Sequence, residues 1–418
     1  MRVLWITNIL FPDICREIGL SSPVMGGWMY ASAQNLLKVD ASIKLAVATV
    51  YSGNVVKNSI INGITYYLLP LKGDYTKYNS SLENYWTKIE AEYAPDIVHI
   101  HGTELAHGLA YIRVCGSEKV VVSIQGLISV CARYYNAGIS IIDILRNITF
   151  RDLIRCDTLF QQQNKFAKRG LIEYEYLKSV KFVIVRTSWD RIHSLTINPL
   201  LNYYVCNESL REEFYKYRWN YEKCEKYTIF LSQAGYPLKG LHQLLKALPI
   251  VLRRFPKTKV YVGGQNILNT GTLSLKIRQN GYSKYLINMI KKQGLSNVVC
   301  FLGNLSEKEI CKRYLLSNLF ICPSSIENSS NSLAEAQLLG VPFLTSYVGG
   351  MPDIVCDRTC LYRFEEYEIL AEKICEKFQL FENATSIMDY NQAIIRHNRS
   401  LNSNQLRFIY NEIAKTIY

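Results

Sequence analysis

Apolar positions in the first half of the chain fall into short continuous runs set apart by longer, helix-spaced stretches. Val3-Leu4-Trp5-Ile6, Leu45 to Val50, Ile97-Val98-His99-Ile100, Lys119 to Ile124 and Val180 to Val185 are such runs, and Gly26-Gly27 opens a helix-like stretch through Leu37. Runs that are apolar throughout, rather than alternating, predict strands buried on both faces. With helices between them they predict a parallel sheet in an α/β architecture. The second half repeats the scheme. Tyr227 to Ser232, Lys259 to Val262, Val298 to Leu302, Leu319 to Cys322 and Pro342 to Thr345 read as strands. Gly240 to Phe255, Leu333 to Leu339 (stopped by Gly340) and Gln405 to Tyr418 read as helices.

The chain has 418 residues, more than one hydrophobic core normally supports, so two α/β domains are expected. Their boundary is expected near Tyr203-Tyr204-Val205-Cys206. The stretch from Gly126 to Tyr176 breaks the rhythm. It shows no clear strand and is rich in aromatic and basic residues, among them Arg133, Tyr134, Arg146, Phe150, Arg151, Arg155 and Phe166. Such an insertion either pads the domain as a helical pair or faces an acceptor or a membrane.

A formal net charge of +13 points to anionic partners, although no block of consecutive Lys and Arg and no nucleic-acid-binding signature supports nucleic acid. The 12 cysteines are scattered without a CxxC pair, which argues against structural zinc and fits reduced thiols in a cytosol. No apolar stretch is long enough to span a bilayer, so a cytoplasmic chain, with at most peripheral membrane association, is expected.

In open α/β sheets ligands bind beyond the carboxyl ends of the strands, so the loops there carry the candidate chemistry. After the strand at Leu319 to Cys322 comes Pro323-Ser324-Ser325-Ile326-Glu327, and seven residues separate Glu327 from Glu335. Asn331, Ser332 and Leu333 open a helix whose free N–H groups and dipole suit a diphosphate. Glu335, one turn in, suits ribose hydroxyls. An Asn/Ser-rich helix cap with two surface glutamates is the plainer alternative. Lys239, in Gly235-Tyr236-Pro237-Leu238-Lys239-Gly240, stands where an ammonium could meet phosphate, or simply in a turn. Gly26-Gly27 would allow close backbone approach to a ligand. His99 and His101 face one side of a strand by alternation, as one buried and one cleft histidine or, less simply, as a metal pair. Arg186 and Asp190 follow another strand, where they could bind a substrate or form a helix-start pair.

Together these residues resemble the family 4 glycosyltransferases of the GT-B fold, including bacterial members that build polysaccharide. Lys239-Gly240 before a helix, Gly263-Gly264, Gly303, Pro323-Ser324, the Glu327/Glu335 spacing and Gly349-Gly350-Met351-Pro352-Asp353 occur in that family's order, with Gly26-Gly27 and Asp96 to Gly102 in the first half. The resemblance implies two Rossmann-like domains facing across a cleft. Residues 1–204 would bind the acceptor, 205–400 the nucleotide-sugar, and 401–418 would form a helix packing back on the first domain. It implies that Glu335 binds ribose and that Lys239 with the amides of Asn331, Ser332 and Leu333 holds the diphosphate. Glu327 would position the donor sugar, Gly303 and Asn304 would lie by the base, Gly26 and Gly27 would face the diphosphate, and His101, Arg186 and Asp190 would serve substrate binding. It further implies retention of anomeric configuration without a metal or other cofactor, a UDP-sugar donor, and a saccharide or lipid-linked acceptor in cell-surface polysaccharide synthesis.

Two positions depart from the family. The Arg usual five residues before the lysine is Ala234, and the His usual after the strand ending at Ile124 is Gln125, which can hydrogen-bond a sugar but cannot titrate. Gln125 is therefore expected to position substrate. Ala234 leaves open a degenerate protein that binds nucleotide or sugar without turnover; a sugar-nucleotide epimerase is the other alternative.

Overall fold

The computed structural model describes residues 1–21, 27–267, 278–379 and 387–417. They form two compact units. The first comprises 1–130, 167–210 and 395–418, the second 131–166 and 211–394.

The first unit is built on eight strands: β1 (Arg2–Ile6), β2 (Lys44–Tyr51), β3 (Lys57–Ile61), β4 (Ile64–Pro70), β5 (Ile97–His101), β6 (Val120–Ser123), β7 (Phe182–Val185) and β8 (Asn202–Val205). Their order is β3-β4-β2-β1-β5-β6-β7-β8. All pairs are parallel except β3 with β4. The β3–β4 hairpin was not among the expected strands, although its signal is in the sequence. Asn62-Gly63 forms a two-residue loop with both φ values positive, 52° and 79°, the geometry for which Asn-Gly is preferred.

Strand alternation divides this sheet's residues between two cores. Leu4, Ile6, Ala46, Ala48, Val98, Ile100 and Val122 face one side with Trp86, Tyr111 and Tyr176. Val3, Trp5, Leu45, Val47, Ile97 and Val121 face the other, covered by Met29, Ala33 and Leu36 of the helix Gly27–Val39 and by Leu406, Ile409, Tyr410 and Ile413 of the helix Arg399–Ile417. That last helix is keyed in by polar bonds as well. The Trp5 indole donates to the Tyr410 hydroxyl (2.9 Å), which lies 2.6 Å from His99 Nδ1.

The second unit carries six strands: β9 (Glu225–Leu231), β10 (Lys259–Gly263), β11 (Val299–Gly303), β12 (Ser317–Cys322), β13 (Phe343–Ser346) and β14 (Leu361–Tyr362). They are all parallel, in the order β11-β10-β9-β12-β13-β14. In chain order this is 3-2-1-4-5-6, the doubly wound Rossmann arrangement, whose winding reverses between β9 and β12.

The segment 131–166 departs from expectation, since it groups with the second unit rather than with the residues 1–204 that contain it in sequence. The reason is a set of specific bonds. His242 Nε2 meets the Ala137 carbonyl at 2.7 Å, the Ser325 hydroxyl donates to the Tyr134 carbonyl, and the Asn288 amide donates to Asn147.

Replacing Tyr410 by Phe strands a buried indole N–H and a buried imidazole nitrogen. Each unmet group costs roughly 1–3 kcal/mol, so a lowered urea midpoint with an unchanged slope is expected. An unaltered midpoint would show that the helix Arg399–Ile417 is held by apolar contact alone.

Candidate functional site

The reversal point of the second sheet is where a ligand crevice forms, and two loops meet there. One leaves β9 through Ser232 to Lys239 and turns at Gly240 into the helix Leu241–Arg254. The other leaves β12 through Pro323 to Ser330 and enters the helix Asn331–Leu339. Gly240 has φ +70°, and a Cβ there would lie 1.7 Å from the Pro323 carbonyl oxygen. Glycine alone fits both the conformation and the contact. The Ser325 amide donates to the Leu238 carbonyl (2.8 Å), and the Ser232 and Ser332 hydroxyls meet at 2.8 Å.

This crossing brings Lys239, Glu327 and the start of the helix Asn331–Leu339 together. Lys239 Nζ lies 2.9 Å from Glu327 Oε2, which also accepts from the Ser324 hydroxyl at 3.1 Å. Burial alone would lower the lysine's pKa, but the neighbouring carboxylate overrides it and keeps the ammonium charged. The Glu327 carbonyl accepts from Gly350 N–H, and a Cβ on Gly349 would stand 2.0 Å from that oxygen. The Gly349-Gly350 pair therefore presses the Glu327 loop into place. At the helix start the Ser330 hydroxyl accepts from Leu333 N–H (3.4 Å).

Glu335 is buried one turn into this helix. It is gripped by Arg211, whose Nε and Nη2 each donate to one carboxylate oxygen at 2.8 Å. Burial drives the Glu335 pKa up against the pull of that guanidinium, to about 7. The fork uses two of about four acceptor positions on the carboxylate, leaving lone pairs for incoming hydroxyl groups. Arg211 was not singled out in the sequence. It stands 124 residues from its partner, and no local pattern marks it.

Gly303 ends β11 with φ +75°, and Asn304 after it is exposed. β11 is two strands from β9, so this loop sits roughly 10 Å from the crevice centre, a span compatible with a nucleobase beside a ribose. A wider cavity of about 520 Å³ opens beyond the carboxyl ends of β12, β13 and β14, lined by Arg133, Tyr134, Ser325, Tyr347, Gly349 and Arg363.

In the first unit, the reversal point lies between β1 and β5. Gly26 lies outside the described residues, and Gly27 begins the helix Gly27–Val39. His99 and His101 do share a side, stacked with ring centroids 3.8 Å apart. His99 is committed at both nitrogens, to Tyr410 and Ser123, which removes it as a metal ligand. His101 is buried rather than in a cleft, and both its ring nitrogens lack partners among the described residues. Burial holds its pKa down to about 3. It borders a cavity of about 40 Å³ shared with Trp28, Gln125 and Arg186, room for a water molecule or two.

Asp190 is fully buried and accepts from the Arg186 and Thr187 amides in a capping box at the start of the helix Ser188–Ile197. Its carboxylate is occupied by the fold, which corrects its expected contact with substrate. Arg186 is buried too, paired with Glu208 at 2.6 Å and bonded to the Ile124 and Gln125 carbonyls. These bonds fix the loop that carries Gln125, and Arg186 also lines the small cavity beside His101.

Sequence reading also passed over Glu104. It lies in the loop after β5, accepts from the Asn8 amide at 3.0 Å and stands against Gly102. Burial first, and the nearby Glu173, raise its pKa to about 7 despite Arg169 and Arg186.

Residues 213–392, which lie within the second unit, match the family described as glycosyl transferases group 1. Spore coat protein SA of Bacillus subtilis is 25% identical over 172 residues, 40% of this chain and 43% of that protein. Protein CapJ of Staphylococcus aureus is 30% identical over 136 residues, 30% of this chain and 34% of its own. These matches span less than half the length of either relative. Among solved structures, sucrose-phosphate synthase from Thermosynechococcus elongatus superposes with a TM-score of 0.71 at 13% identity, covering 100% of both chains. HepE of Anabaena, solved with UDP, gives 0.61 at 14% identity over 99% of this chain and 100% of its own. WaaG, a glycosyltransferase involved in lipopolysaccharide biosynthesis, gives 0.57 at 14% over 99% of each. The fold is thus the two-domain GT-B fold of glycosyltransferases.

Glu104 supplies a pH test. Its pKa is higher folded than unfolded, so between about pH 5 and 7 the folded state keeps a proton that the unfolded chain has lost, and stability falls as pH rises. Glu104→Gln should remove up to one proton from that slope, measured by urea unfolding across the range. An unchanged slope would mean that the carboxyl titrates normally.

Proposed function

We propose that the chain is a retaining glycosyltransferase of the family 4 type, moving a sugar from a nucleotide-diphosphate sugar, with UDP as the nucleotide, to a saccharide or lipid-linked saccharide in cell-surface polysaccharide synthesis. The observation that carries this reading is the convergence of Lys239, Glu327, Glu335 and the start of the helix Asn331–Leu339 at the reversal point of the second sheet. In this reading the ammonium of Lys239 and the start of the helix Asn331–Leu339, whose Leu333 amide Ser330 already caps, take the diphosphate. Glu335, aimed by Arg211, accepts from the ribose hydroxyls. Glu327 directs the donor sugar, and Gly303 with Asn304 flanks the base.

The chemistry asked of these groups is charge stabilisation and positioning. As the bond from the anomeric carbon to the diphosphate lengthens, negative charge grows on the departing oxygen, and Lys239 and the helix dipole lie where they would meet it. The departing phosphate takes the acceptor's hydroxyl proton on the same face, so configuration is retained. No side chain has to act as a base, which suits a glutamine at position 125. HepE, bound to UDP in one solved structure and to UDP and glucose in another, supports UDP as the nucleotide. The names of the spore coat and CapJ relatives support a cell-surface product.

The test is a thermal-shift panel of UDP, GDP, CMP and ADP on the wild type, Glu335→Gln and Arg211→Ala. A ligand binding only the folded state at a hundredfold excess over its dissociation constant stabilises by about 2.7 kcal/mol. UDP is expected to give that shift, with most of it lost in both variants. A wild-type shift with UDP that both variants keep would remove Glu335 from ribose binding. No shift with any of the four nucleotides would favour a degenerate binding protein. Incubation of the UDP-sugar that binds with an acceptor panel, with the anomeric configuration of the product read by NMR, then decides transfer with retention.

A further inference from the structure

We propose that the outward face of the helices Ile141–Arg146 and Phe150–Arg155 docks on an anionic lipid bilayer. Both helices are turned inside out relative to the usual pattern. Ile141, Ile142, Leu145, Phe150, Leu153 and Ile154 point outward and are each between 56% and 72% exposed. Toward the rest of the second unit the two helices bury one apolar residue, Ile144, and otherwise present polar groups. Asp152 is 1% exposed, and Asn147 bonds to Asn288 of the helix Gly281–Lys292. A soluble helix places its apolar stripe against the core. Here the stripe faces away while hydrogen bonds hold the other side down. Six large apolar side chains within fourteen consecutive positions are the kind of contiguous patch that marks an interaction surface.

The charge around the patch selects the partner. Arg146 and Arg155, at the last position of each helix, are exposed, and neither has an ion-pair partner among the described residues. The acidic groups nearby are already engaged. The Asp143 carboxylate accepts from the hydroxyl of Ser140, the cap of its helix, Asp152 closes a capping box with Thr149, and Asp157 pairs with Arg151 and Lys165. Lys284, on the helix packed beneath, donates to the Arg146 and Ile148 carbonyls. What remains on this face is an apolar surface rimmed by unpaired positive charge. That combination suits the boundary between acyl chains and anionic headgroups, where apolar insertion and electrostatic attraction add. A second copy of this chain would bring the same unpaired arginines and repel. The proposal deepens the reading of a lipid-linked acceptor without depending on the reaction.

The experiment is co-sedimentation with vesicles of phosphatidylglycerol and phosphatidylcholine, and with phosphatidylcholine alone, at low ionic strength. Wild type is expected to bind the anionic vesicles, to bind neutral ones about tenfold more weakly, and to be released by salt. Leu153→Glu/Ile154→Glu should weaken partitioning at least tenfold, and Arg146→Glu/Arg155→Glu should remove the preference for anionic lipid. A Phe150→Trp variant provides a reading that does not depend on disruptive changes, its added indole emission shifting to the blue on vesicle addition. Absence of vesicle binding, unchanged binding by Leu153→Glu/Ile154→Glu, or an unshifted emission from the Phe150→Trp variant overturns the proposal. So does a dimer in solution that the Leu153/Ile154 double variant breaks while vesicle binding persists. The UDP thermal shift is measured on the same samples. Vesicle binding without a nucleotide shift leaves this proposal standing and counts against the transferase reading; the converse does the reverse.

Discussion

The second unit depends on how closely two loops can cross. Strands β9 and β12 lie side by side but lead to helices wound in opposite directions, so the loops that leave them must share one small space. Gly240 makes that possible, because any side chain there would occupy the position of the Pro323 carbonyl oxygen. Once the crossing is made, everything else at the site follows from chain connectivity. Lys239 immediately precedes the glycine, Glu327 follows the proline by four residues, and the helix Asn331–Leu339 starts four residues after Glu327. A parallel sheet aims all its carboxyl ends one way. The crossing turns that general property into a particular cluster of charge.

The cluster is internally balanced. Lys239 is matched by Glu327 and Arg211 by Glu335, each at hydrogen-bond distance and each largely removed from water. Buried pairs of this kind add little net stability, since desolvation offsets most of the attraction, but losing one partner leaves an uncompensated charge. Their value here is orientation. Each carboxylate is held by one cation and retains acceptor capacity toward the crevice, while each cation can share its charge with an arriving anion. Ala234 is buried in this chain, and the second cation of the cluster is Arg211, from the segment leading into β9.

How much of this was written in the sequence follows from how local each feature is. Most of the parallel strands were legible because they are contiguous apolar runs, though β4, β8 and β14 were not read, and the Glu327/Glu335 pair was legible because one strand, loop and helix carries it whole. The β3–β4 hairpin was legible through Asn62-Gly63 but was passed over, since its outer strand is mostly exposed and polar. Arg211 was not legible, because its meaning depends on a partner far along the chain. Nor was the affiliation of 131–166, which is set by bonds from His242, Ser325 and Asn288. Strand alternation correctly put His99 and His101 on one side. It could not show that both would be sealed under Trp5 and the helix Arg399–Ile417, because the cover comes from the other end of the chain.

The sealing of those histidines bears on what the first unit can contribute chemically. His99, His101 and His107 are all held neutral by burial, and Gln125, which lines the cavity with His99 and His101, does not ionise. A sheet edge organised in this way offers hydrogen bonds of fixed direction rather than a proton acceptor. The exception is Glu104, whose pKa of about 7 would suit a general base. Its surroundings argue for another part. Glu104 accepts from Asn8 while its own carbonyl is held by Arg169, and a carboxyl so tethered is oriented rather than free to follow a proton. Among the groups named here, the first unit thus offers oriented hydrogen-bond partners rather than a freely titrating base.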